Sequence, residues 1–210
     1  MPADDNDLVG DELESIYRRS DALVAEQLYE DEAALLRAAL DRHPDDPELC
    51  LRMGRSLVAT GDRLDEAKDL IVRAAALSSQ DPWRLARCAG LLADMTEFDE
   101  ASRIALLARA EAPADFVFDA DLDHVLGRVA FDRGDLAEAE RLLTMAFERE
   151  PSLAGHGWWL AQFNYVEQRP HRAMEVLAKA LRHRPDDQAL KDLRDEVLAY
   201  VRTYGESLSE

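Results

Sequence analysis

The sequence is poor in the residues that make tight turns. Among 210 residues there are 9 glycines and 8 prolines, which disfavours a strand-rich fold with many short connections. Only two cysteines occur, Cys50 and Cys88. They form no C-x-x-C pair and both fall in apolar helical patterns, so they read as small buried hydrophobes and exclude a disulfide framework. No apolar run approaches the ~18 residues of a membrane span. The opening "MPADDNDLVGDELE" is acidic and lacks the basic and apolar regions of a secretory signal, so a cytoplasmic setting is expected. Lysine is nearly missing: Lys68, Lys179 and Lys191 stand against a Lys plus Arg total of 25. Net positive charge is missing too. The formal charge of −19 repels phosphate backbones and anionic lipid, which excludes nucleic acid and membrane as expected partners.

Catalytic motifs are also lacking. The histidines are His43, His124, His156, His171 and His183, and none forms H-E-x-x-H or a metal-ligand spacing. There is no Gly-rich phosphate loop, no G-x-S-x-G and no cysteine with an evident histidine partner. Carboxylate pairs carry no weight in a chain with 44 Asp and Glu. The expectation is a non-enzymatic protein without cofactor or metal.

What is present is an all-α composition with a period. Apolar residues make up 47%, and Ala, Leu, Glu and Arg, all good helix formers, dominate. "DEA" recurs at Asp31-Glu32-Ala33, Asp65-Glu66-Ala67 and Asp99-Glu100-Ala101. Ala139 and Ala173 continue the series after a four-residue insertion near Phe116 to Asp119. Two helical turns beyond come Ala74, Ala108, Ala146 and Ala180, on the same helix face. Pro44, Pro113, Pro151 and Pro185 stop these helices. An earlier helix in each unit carries a larger residue followed by a small one: Met53-Gly54, Cys88-Ala89, Leu126-Gly127, Leu160-Ala161. Gly61-Asp62 and Gly134-Asp135 supply turns between the two helices.

This pattern resembles the tetratricopeptide repeat (TPR), a 34-residue helical hairpin with Leu-Gly, Ala, Ala and Pro in fixed phase. The resemblance covers about five-sixths of the chain and implies a right-handed α-α superhelix, an α-solenoid of about five hairpins. The copies fall at 13–46, 47–81, 82–115, 120–153 and 154–187, within an array over 8–187. Residues 188–204 read as a capping helix with Gly205 as C-cap, residues 1–7 as a disordered acidic N-terminus and 205–210 as a tail. Copy one departs most, with Arg19-Ser20 in place of Leu-Gly. Copy two has Ser79 in place of proline.

In this family the first helices line a concave groove that binds a peptide or helix of another protein. The resemblance therefore implies an adaptor or chaperone-like module, with a self-associating scaffold, possible as a homodimer, or a sensor of a short peptide or small anion as alternatives. Carrying the phase along the first helices places Arg18, Arg52, Arg55, Arg87 and Arg128 in the groove, then His124, Phe131, Trp158, Trp159 and Tyr165. Guanidinium forks there would hold carboxylates of a partner of acidic character, and aromatics would take an apolar anchor. Equally, the arginines would pair with Glu48, Asp94 or Asp132, and the rings would be partly core. A subgroup of the family clamps the acidic C-terminal tail of a chaperone. Arg87 fits one of its positions, but Leu51 and Gly90 stand where polar donors are needed, so that clamp is not expected. The apolar insertion Phe116-Val117-Phe118 is expected to extend the first helix of copy four, with an exposed contact patch as the rival.

Overall fold

In the computed structural model, residues 5–204 are described, and the side chains of 5–9 are not. The expectations for residues 1–4 and for the tail 205–210, Gly205 included, lie outside the described residues. Among the described residues, regular structure is entirely helical, in eleven helices. They belong to two compact units, Met1–Glu111 and Ala112–Glu210.

The first unit comprises α1 (Asp5–Ala25), α2 (Tyr29–Leu40), α3 (Pro47–Thr60), α4 (Leu64–Leu77), α5 (Pro82–Asp94) and α6 (Phe98–Glu111). Helix α1 begins inside the stretch 1–7 expected to be disordered. The second unit comprises α7 (Asp119–Asp132), α8 (Leu136–Arg149), α9 (Ala154–Val166), α10 (Pro170–His183) and α11 (Gln188–Tyr204). Phe116, Val117 and Phe118 do not extend a helix, contrary to expectation. They form a turn that ends in Phe118 as the N-cap residue of α7. Phe116 is buried, Val117 is 70% exposed, and the Phe116 and Phe118 rings meet edge to face at 5.9 Å.

Two first helices start on a local signal. Asp46 and Asp81 accept hydrogen bonds from the N–H groups of Leu49 and Arg84, and Pro47 and Pro82 follow them in the first turns of α3 and α5. This satisfies an orphan donor and pre-sets φ. Every hairpin turn uses a residue at positive φ: Gln27 (59°), Gly61 (69°), Thr96 (61°), Gly134 (77°) and Gln168 (57°), with Arg63 (50°) a second one in the α3–α4 turn. After four of these, the next N–H reaches back to close the helix: Leu28 to Leu23, Glu97 to Leu92, Asp135 to Ala130 and Arg169 to Asn164, at 2.8–2.9 Å. The same closure recurs because the chain must reverse within about three residues, and the left-handed residue lets the last carbonyls be satisfied.

The hairpins close on small residues. Ala67, Ala101, Ala139, Ala173, Ala74, Ala108, Ala146 and Ala180 are all fully buried. A Cβ on Gly54 would lie 2.5 Å from Ile71 Cγ1 in α4, and one on Gly127 would lie 2.9 Å from Leu143 Cγ in α8. These glycines let the paired helices pack closer than a Cβ at either position would allow. In copy one the same position is Ser20, fully buried. Its hydroxyl donates to Glu32 at 2.6 Å, so the polar atom is satisfied. Between hairpins, α2 packs on α3 and α4 on α5 in the first unit, and α8 packs on α9 and α10 on α11 in the second. First helices also touch one another, α3 with α5 and α7 with α9. Separate cores result, one around Leu36, Leu49 and Met53 and one around Leu143, Phe163 and Leu177. Cys50 and Cys88 are free thiols with no exposed surface. Burial pushes the Cys88 thiol up to about 12 and that of Cys50 upward as well.

Candidate functional site

Contact between first helices brings arginines from different hairpins into one network in the first unit. Glu48 of α3 is its hub. Arg52, one turn on, donates Nε to Glu48 Oε1 at 2.8 Å. From α5, Arg84 Nε reaches Glu48 Oε2 at 3.4 Å and Arg87 Nη1 reaches the same oxygen at 3.2 Å. Arg52 turns its other end to α1. Nη1 donates to the Tyr17 carbonyl at 3.3 Å, to Ser20 Oγ at 3.1 Å and to Asp21. Its guanidinium lies 5.0 Å from the Tyr17 ring centroid. Burial works against the Arg52 charge, but hydrogen bonds to Asp21 and Glu48 outweigh it and hold its pKa above the usual arginine value. Ser20 passes the network to Glu32, whose Oε1 also accepts Arg55 Nη2 at 2.6 Å. Glu32 has no exposed surface, so Arg55 neutralises a buried charge.

Arg52, Arg55 and Arg87 are thus brought together and paired internally, in part with Glu48 as the sequence alternative held. Arg18 does not join them. Its side chain is 73% exposed and, among the described residues, pairs with the exposed Glu14 at 3.7 Å. Arg84 belongs to the network but was not among the sequence candidates. Its place within hydrogen-bond reach of Glu48 depends on how α3 and α5 pack, and no local spacing reports that.

The second unit gathers the remaining candidates on α7 and α9. Arg128 is buried, with its guanidinium 4.4 Å from the Trp159 ring centroid. His124 and His156 stack with centroids 4.8 Å apart, and Trp159 meets His124 edge to face at 6.4 Å. Burial, then His156 and Arg128, hold His124 well below the usual histidine value. His156, fully enclosed, was missed as a candidate although it lies 32 residues after His124, close to the repeat period. Phe131 packs edge to face on Phe163, Trp158 on Trp159, and Tyr165 on Tyr200, at 5.5, 5.2 and 5.5 Å. Phe131, Trp158, Trp159 and Tyr165 are all half-buried against the core. Each ring therefore serves the interior with one edge and the surface with another. Neither tryptophan is fully buried, since consecutive helical residues point about 100° apart and here both straddle the boundary.

Among the described residues, no group of three or more His, Cys, Asp or Glu is arranged to hold a metal ion. No helix there is long and apolar enough to cross a membrane.

No protein-family model matches the sequence, and no curated protein matches it. Solved structures do. A thermophilic TPR protein from Thermus thermophilus, TTC0263, superposes with a TM-score of 0.72 at 21% identity over 89% of this chain and 98% of its own. The chain has the tetratricopeptide-repeat fold. The TPR hairpins also superpose on PilW, a type IV pilus biogenesis factor, with a TM-score of 0.71 at 14% identity over 90% of this chain and 92% of that one. MamA from Desulfovibrio magneticus RS-1 gives 0.61 at 18% identity, over 83% and 96%. At these identities the likeness shows the fold. The departure of copy one at Ser20 fits within it, because the serine is small and its hydroxyl donates to Glu32.

Proposed function

We propose that the protein is a non-enzymatic interaction module that holds another protein on the first-helix faces of its hairpins. The observation that carries this is the half-buried aromatic face of the second unit, Phe131, Trp158, Trp159 and Tyr165, together with Arg128 against Trp159. Trp, Tyr and Arg are the residues that dominate binding energy in protein interfaces, and rings already fixed by packing lose little entropy when a partner covers them. The repeat fold supports the same reading. The partner segment is a peptide or helix that offers an apolar anchor to these rings.

The arginines of the first unit play a different part. Arg52 and Arg55 are committed to Glu48, Asp21 and Glu32. Arg87, with 39% of its side chain exposed and only long contacts to Glu48, and Arg18 keep donor capacity. An acidic stretch of the partner would meet those two. Affinity capture from the native lysate, with the wild type and Trp158→Ala compared side by side, tests the reading. Proteins held by the wild type and lost by a Trp158→Ala variant that still melts cooperatively support it. Equal recovery by both refutes it.

A further inference from the structure

The aromatic face of the second unit contains two histidines in a setting that suits only their neutral form. His124 of α7 and His156 of α9 stack with ring centroids 4.8 Å apart and planes at 34°. His156 is enclosed, whereas His124 keeps part of its side chain in water. Among the described residues, neither Nδ1 finds a hydrogen-bond partner, and both are buried. A neutral imidazole can leave one ring nitrogen as a bare acceptor, but an imidazolium has two N–H donors to satisfy. A proton on the stacked His124 therefore leaves a buried donor unanswered. Neighbouring charge adds to this. Arg128 follows His124 by one helical turn and lies 4.4 Å from the Trp159 ring centroid, and Trp159 meets His124 edge to face at 6.4 Å. The Asp121 carboxylate faces the other ring, with Oδ1 3.5 Å from His156 Nε2. Helix α9 carries no Asp, Glu, Lys or Arg. From α8, Arg149 is engaged by Asp119 and Asp123, both at 2.7 Å. Arg169 and Arg172 of α10 pair with Glu140, and Arg194 of α11 with Asp195. Burial, then His156 and Arg128, oppose the charge of His124.

We propose that His124 is a proton-operated latch on this face: once protonated, its ring leaves the His156 stack for water, and Trp159 loses the edge contact that seats it. As regulation of partner binding this rests on the function proposed above; the movement itself needs no partner. His124 is the member of the cluster free to move, since His156 is 3% and Arg128 5% exposed. In water both donors of the imidazolium are satisfied. The stacked ring binds a proton more weakly than the solvated one, so falling pH favours the swung-out ring, by up to about tenfold per pH unit below ~6.5. Above that value the stack is intact, and Trp158 and Trp159 stand edge to face at 5.2 Å, ready to take an apolar anchor. Below it that seat is lost.

The test is an NMR pH titration of the full chain, from about pH 8 to about pH 5, following the His124 ring protons and the Trp159 indole N–H. Both signals are expected to move in one step with its midpoint below ~6.5. His124→Gln should abolish the Trp159 step. His156→Gln removes a neighbour that opposes the proton and should move the His124 midpoint upward; if that variant does not fold, the His124→Gln arm decides. A Trp159 signal that stays fixed while His124 titrates, or that moves equally in His124→Gln, overturns the latch. The two proposals fail separately. Equal protein capture by wild type and Trp158→Ala removes the proposed function, while the Trp159 step still decides whether the latch exists.

Discussion

At the scale of single residues, the left-handed turn positions separate what sequence states from what structure demands. Gly61 and Gly134 occupy them at no steric cost, and both were readable as turns. Gln27, Thr96 and Gln168 occupy the equivalent places, yet nothing in a glutamine or threonine announces positive φ. Only the hairpin phase points to them. Thr96 is the most unfavourable, because a β-branched side chain in this region is strained. Thr96→Gly should therefore stabilise the fold by about 1 kcal/mol, read as a higher midpoint in denaturant unfolding. A lower midpoint would show that the threonine side chain contributes more than its backbone costs. His124 bears on pH. Its folded pKa is depressed, so the unfolded chain takes up a proton near 6.5 while the folded chain still resists one. Its contribution is full above that value and declines as pH falls toward the depressed folded pKa. His124→Gln should flatten that decline, a difference measurable by unfolding at a series of pH values.

At the scale of helices, boundaries were largely legible because breakers and small residues recur in phase. Helices α2, α6, α8 and α10 stop shortly before Pro44, Pro113, Pro151 and Pro185. The sequence also shows small residues at the helix crossings, but not which of its glycines matter for contact. Gly127 and Gly90 look alike as letters. A Cβ on Gly127 would meet Leu143 at 2.9 Å and its backbone N at 3.1 Å, whereas one on Gly90 would meet nothing within 4 Å. Gly127→Ala should cost about 1–3 kcal/mol through overpacking at the α7–α8 crossing. Gly90→Ala should be stabilising by about 0.5–1 kcal/mol through backbone entropy alone. Thermal melts of the two variants should shift in opposite directions. The connection at Phe116 to Phe118 was misread as helix because apolar letters alone do not distinguish a packed turn from a helical one.

At the scale of the whole chain, the period was the most informative signal and the side-chain pairing the least. A 34-residue repeat implies stacked hairpins, and both units show them. Which carboxylate an arginine meets depends on the packing of two helices that lie far apart in the chain. Glu48 with Arg52 is one turn of one helix and was readable. Arg87 with Glu48, Arg52 with Asp21 and Arg55 with Glu32 were not, which is why ligand-holding and internal pairing stood level in the sequence. Arg52, Arg84 and Arg87 all sit on Glu48 and Arg55 on the buried Glu32, so this row ties hairpins together. Denaturant unfolding of Arg52→Ala/Arg55→Ala/Arg87→Ala against the wild type tests that most directly. A loss of about 2–4 kcal/mol that survives high salt is expected, since a carboxylate with no exposure would lose its cation. Unchanged stability would contradict it and return these arginines to solvent and to a ligand.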